Sequence, residues 1–151
     1  MSVTDAPLDE PNAHFTEGER AELESCRYQM TPQRSLSVIE LATAWALHVR
    51  KIGADRTMSP DDPRTWGPHD LVAALYIRDF LADCVSRLPA ELRVKASAAI
   101  RPYDEMFQAL TQPDSDRLVA RVAESSLEGK PWWWHRIPDS GPMLDELRTF
   151  C

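Results

Sequence analysis

Three long segments of this chain, 35–52, 69–88 and 89–111, repeat their apolar residues at helical intervals, and no stretch alternates them at strand spacing over a useful length. In 35–52, Val38, Leu41, Ala42, Trp45, Val49 and Ile52 fill a broad arc that excludes Glu40, Arg50 and Lys51. An arc that wide predicts burial against more than one neighbour. Gly53 follows as the expected C-cap. Pro68 suits a first helical turn, and 69–88 is apolar nearly all round, so this segment is the expected central helix. In 89–111, Leu92, Ala96, Ile100, Tyr103, Phe107 and Leu110 keep one phase through Pro102, which predicts a single kinked helix.

Shorter elements flank these. Thr16-Glu17-Gly18-Glu19 has the pattern of a capping box and predicts a helix over 17–29. A helix is expected over 115–127, ended by Gly129, and a last one from Pro142 that buries Leu144, Leu147 and Phe150. Residues 130–142 hold Pro131, Pro138 and Pro142 and are expected to be extended. The expected fold is all-α: one compact bundle of five or six helices over 15–151, with a Pro/Trp-rich extended strap before the C-terminal helix. Residues 1–14 read as a flexible tail.

Composition narrows the function classes. The 151 residues are 43% hydrophobic and 27% charged, the balance of a globular domain rather than a disordered chain. The net charge of −7 disfavours nucleic acid, because phosphate backbones are bound by releasing counterions to Lys and Arg. No apolar run approaches the roughly 20 residues of a membrane helix, and no secretion signal opens the sequence. Cys26, Cys84 and Cys151 are widely spaced and form no C-x-x-C pair, which argues against a disulfide framework or zinc knuckle and for reduced thiols in a cytoplasm. Arginine far outnumbers lysine and Asn12 is the single asparagine, a bias that suggests a GC-rich bacterial genome. Nucleotide-loop, hydrolase-elbow and zincin motifs are absent, so no cofactor, metal or catalytic residue is assigned.

Two places are not explained by packing a bundle. One is the long loop 53–68, with Asp61, Asp62 and the anchoring Trp66. The other is the run Trp132-Trp133-Trp134-His135-Arg136. Its indoles either fill grooves between helices or leave an exposed anchor near Trp133 beside His135 and Arg136, since Trp and Arg are enriched at binding hot spots. The central helix also carries a polar stripe of His69, Tyr76, Asp83 and Arg87, with Asp79 spaced i, i+4 from Asp83. It reads as a solvated face with an Asp83–Arg87 ion pair, or as a polar cleft in which His69 moves a proton. Arg78 lies between apolar positions and is expected to pair with a carboxylate of another helix, or to snorkel. His48 is expected to be packed.

These features point first to a non-catalytic protein-binding module of a bacterial cytoplasm, such as a small acidic immunity, antitoxin or adaptor protein that meets a basic partner protein. The alternative is a small-molecule-binding protein or enzyme with a polar cleft between helices.

Overall fold

A computed structural model of the chain describes residues 15–150; the predicted tail over 1–14 and Cys151 lie outside them. The element order is α1 (Glu17–Ser25), β1 (Arg27–Thr31), β2 (Arg34–Ser37), α2 (Val38–Asp55), α3 (Pro68–Ser86), α4 (Ala90–Ala109), β3 (Thr111–Pro113), α5 (Leu118–Ala123), a 3-10 turn (Trp132–His135), β4 (Arg136–Pro138) and α6 (Pro142–Thr149). The protein is mainly helical. The all-α expectation is corrected by two antiparallel two-stranded sheets, β1–β2 and β3–β4. The described residues form two compact units, one from 15–47 and 77–104, the other from 48–76 and 105–150.

The first unit opens as its sequence dictates. The Thr16 hydroxyl accepts from the Glu19 N–H at 3.0 Å, and the Glu19 carboxylate accepts from the Thr16 N–H at 2.8 Å. This box satisfies two backbone donors that the first helical turn leaves without partners. Helix α1 ends at Ser25, four residues short of the expected boundary, because the chain enters the β1–β2 hairpin. Tyr28 pairs with Leu36 across that hairpin, and the register shifts between Gln29 and Thr31. The hairpin escapes a periodicity reading because β1 is exposed at every position but Tyr28, so it carries no apolar alternation. The Tyr28 ring stacks on Phe80 at 4.2 Å and 15°. A second reciprocal box starts α2: the Ser37 hydroxyl accepts from the Glu40 N–H at 3.1 Å, and the Glu40 carboxylate from the Ser37 N–H at 2.9 Å. Leu23, Leu41, Trp45, Leu81 and Ala96 are wholly buried in this unit. Each large apolar side chain so buried contributes about 1.5–3 kcal/mol.

In the second unit α2 runs through Gly53 to Asp55, so Gly53 is a helical residue and not the expected cap. A Cβ there would sit 3.0 Å from Leu110 Cδ2, so the glycine lets the Leu110 side chain pack close against the helix. Asp55 is 3% exposed and accepts from Lys51 Nζ at 2.8 Å and from the Trp66 backbone N–H at 2.8 Å. One buried carboxylate thus ties the start of the 56–67 loop to its end. Beyond it, Arg56 is fixed by Asp139 at 3.0 Å. Helix α4 continues through Pro102, as expected. Helix α5 is shorter than expected, bounded by Arg117 and Glu124 in the left-handed region at φ 55° and 54°. Asp114 caps it by accepting from the Leu118 and Val119 N–H groups at 2.8 and 2.9 Å.

The tryptophan run is not an extended strap. Pro131, at φ −59°, leads into a 3-10 turn in which the Trp134 N–H donates to the Pro131 carbonyl at 3.0 Å. The turn carries both Trp133 and Trp134 inward, where an extended chain would send neighbouring side chains to opposite sides. Their burial outweighs the extended preference of a proline-rich segment.

Candidate anion-binding cleft

Helix α4 carries Arg93, Ser97 and Arg101 at four-residue intervals, which sets them along one helical face. Helix α3 carries Arg78, Ala82 and Ser86 at the same interval. Within the first unit these two rows, with Val85, Ile100 and Asp104, line a cleft of about 360 Å³. Its charge is three guanidinium groups against one carboxylate, in a chain whose net charge is −7.

The arginines have different roles. Arg78 donates from Nε to Asp104 Oδ1 and from NH2 to Asp104 Oδ2, both at 2.9 Å, with the two side chains only 12% and 18% exposed. Trp45 Nε1 also donates to Asp104 Oδ1 at 3.0 Å. Such a two-pronged, charge-assisted pair is rigid. It meets the expectation that Arg78 pairs with a carboxylate from another helix. Arg93 donates from NH1 to the Leu88 carbonyl at 3.2 Å and so fixes itself to the turn after α3. Arg101 is exposed on the next turns of α4. Pro102 has no N–H to give the Ala98 carbonyl, one turn back on the same helix. Asp104 is committed to Arg78 and Trp45, so the remaining polar lining is cationic or hydroxylic.

A second cleft, of about 500 Å³, lies in the second unit and is lined by Asp114, Arg117, Ser126, Glu128 and His135 among others. Its charges are mixed, and several of its polar groups serve local structure. Asp114 caps α5, and His135 Nε2 lies 3.0 Å from the Lys130 carbonyl.

The residues singled out from sequence do not converge on one site. Trp133 is 6% exposed and Trp134 fully buried, so neither of these two indoles is an exposed anchor. Trp134 meets Tyr76 edge-on at 5.0 Å, with Lys130 Nζ 5.0 Å from the indole centroid. Trp132 is half-buried, 5.6 Å from Trp133 and 6.2 Å from Phe107. Arg136 is consumed by Thr111, donating to its hydroxyl and its carbonyl at 2.8 Å each. Trp66 is half-buried, with the Lys51 ammonium 5.7 Å and the His48 ring 5.0 Å from its ring. Asp62 is held by Arg64 at 2.9 Å, whose hydrogen bonds lower its carboxyl to about 2, while Asp61 is exposed. At the C-terminal end of α3, Asp83 and Arg87, the residue after the helix, form the expected i, i+4 ion pair at 3.2 Å. His69 lies edge-on to Phe150 at 5.5 Å and Asp79 is half-buried. Neither cleft is lined by His69, Tyr76, Asp79 or Asp83.

Sequence reasoning passed over Arg93, Ser97 and Arg101. The signal was their Arg-x-x-x-Ser-x-x-x-Arg spacing, opposite an Arg-x-x-x-Ala-x-x-x-Ser row on α3. Among the described residues, no group of three His, Cys, Asp or Glu side chains could hold a metal ion, and no helix is long and apolar enough to cross a membrane. The chain matches no family model, no curated protein and no solved structure.

Proposed function

We propose that this is a non-catalytic binding protein of a bacterial cytoplasm, and that its ligand is a small organic anion held in the arginine cleft. The observation that carries the reading is the placement of Arg93 and Arg101 beside the Arg78–Asp104 pair in an acidic chain. Guanidinium forks match carboxylate and phosphate groups. A concave site with a local excess of positive charge concentrates anions even where the rest of the protein repels them. Ala82, Val85 and Ile100 offer apolar surface for a carbon skeleton, and the volume falls in the range of small-ligand sites. Binding is favoured over catalysis because the one carboxylate of the lining is already committed to a guanidinium and an indole.

The test is thermal unfolding with inorganic phosphate or citrate against sodium chloride of equal ionic strength, in the wild type and in R93Q/R101Q. At a hundredfold excess over Kd, a bound anion adds about 2.7 kcal/mol, or roughly 5–10 °C for a chain this size. The double variant should lose that shift while unfolding normally in chloride. Equal shifts in both proteins, or no shift with any anion, would refute the reading. A module that recruits a basic protein is the second reading, favoured by the −7 net charge. It expects a stoichiometric basic partner in low-salt capture, released as salt rises and indifferent to R93Q/R101Q.

A further inference from the structure

Cys26 and Cys84 are 58 residues apart in sequence but adjacent in the first unit. Cys26 follows the last residue of α1 and is half-buried. Cys84 lies in the last turn of α3 and is wholly buried. The Cys26 thiol donates to the carbonyl of Cys84 itself at 3.2 Å. Arg87, one turn from Cys84, donates from NH2 to the Cys84 sulfur at 3.2 Å and to the Arg27 carbonyl at 3.0 Å, beside its ion pair with Asp83. A guanidinium therefore joins the residue after Cys26 to the Cys84 sulfur.

We propose that Cys26 and Cys84 are a peroxide-oxidisable pair that closes to a reversible disulfide, with Arg87 as the positioning residue. Peroxide reaches the half-buried sulfur first. The Cys26 sulfur takes one oxygen from hydrogen peroxide, giving a sulfenic acid and one water. The Cys84 sulfur then attacks the Cys26 sulfur, the S–O bond breaks, and the hydroxyl leaves as water with the Cys84 proton. Two thiols and one peroxide thus give one disulfide and two waters, and a dithiol reductant reverses the change. The thiolate is the attacking form, and Arg87 stabilises it in place. Burial first, and then the neighbouring Cys26, push the Cys84 thiol up to about 11. The reduced Cys84 is thereby held as the thiol, which leaves the half-buried Cys26 as the first sulfur to meet peroxide.

The experiment treats the full chain with a small excess of hydrogen peroxide, quenches it with an alkylating reagent under denaturing conditions, and maps peptides without reduction. The expected wild-type result is a cross-linked Cys26–Cys84 peptide lighter by two hydrogens, one alkylated thiol (Cys151) of the three, and full reversal by dithiothreitol. Cys151→Ser should behave identically, and Cys26→Ser should form no cross-link. R87Q should still give a dimedone-trapped Cys26 but close the disulfide at least several-fold more slowly. That rate separates positioning from a merely structural effect, which would equally alter dimedone trapping. Three free thiols after peroxide, a Cys26 that stops at sulfinic acid, or a disulfide to Cys151 would each overturn the proposal.

Discussion

The Arg78–Asp104 pair invites a double-mutant cycle. Arg78→Met removes the guanidinium and leaves Asp104, 18% exposed, with the Trp45 indole as the donor already described. Asp104→Leu instead takes both carboxylate acceptors from a guanidinium that is only 12% exposed. Removing one member of a buried pair costs about 3–5 kcal/mol, because the survivor keeps its charge and its desolvation but loses the ion pair that offset them. The residual exposure here places each single variant near the lower bound, about 3 kcal/mol. For a chain this size, that is a fall in Tm of roughly 6–12 °C. The double variant R78M/D104L removes both charges and replaces them with apolar volume. Its remaining cost is chiefly the hydrogen bond from the fully buried Trp45, about 1 kcal/mol. The coupling is the sum of the singles less the double, about 5 kcal/mol at most and above 2 kcal/mol if the pair is as desolvated as the exposures show. Urea unfolding followed by far-UV circular dichroism measures all four proteins. Single variants within about 0.5 kcal/mol of wild type, or a double variant equal to the sum of the singles, would refute a desolvated pair.

Two further outcomes follow from other parts of the chain. Gly141→Ala should destabilise by more than about 1 kcal/mol, since φ is +96° and a Cβ would lie 2.7 Å from the Arg56 backbone, which cannot yield as a side-chain tip would; thermal unfolding reads this directly. Acid should weaken the fold in a defined window. Glu19 is lowered by the Thr16 N–H and then Lys95, Asp62 to about 2 by Arg64, and Asp139 by Arg56. Because these pKa values are depressed in the folded state, their contribution is complete above the ordinary values of 4.5 and 3.8 and is lost as pH falls through the folded values. The Asp62 share should fade between pH 3.8 and about 2, and D62N should flatten the stability profile there; an unchanged profile would contradict the assignment.

Much of the helical layout was legible because it is written in local chemistry and period. The Thr16–Glu19 box, the arc of 35–52 and the phase held through Pro102 each correspond to an element. The β1–β2 hairpin was not legible, because exposed strands such as Arg27–Thr31 have no apolar face to alternate. The tryptophan turn was misread because proline favours extended backbone locally, whereas burial of Trp133 and Trp134 is a tertiary gain. The cleft was hidden for a related reason. Its arginines are dispersed in sequence and outnumbered by acids, so net charge conceals a local excess that only the facing of α3 and α4 assembles.

The five tryptophans carry a practical consequence. Trp45 is the one that belongs to the first unit, whereas Trp66, Trp132, Trp133 and Trp134 all belong to the second. The indoles are therefore distributed four to one in favour of the second unit. A variant with phenylalanine at the four later positions would make the first unit's indole, the one hydrogen-bonded to Asp104 at the arginine cleft, a private optical probe of that cleft. The chain thus comes with its own spectroscopic labels, already sorted by unit.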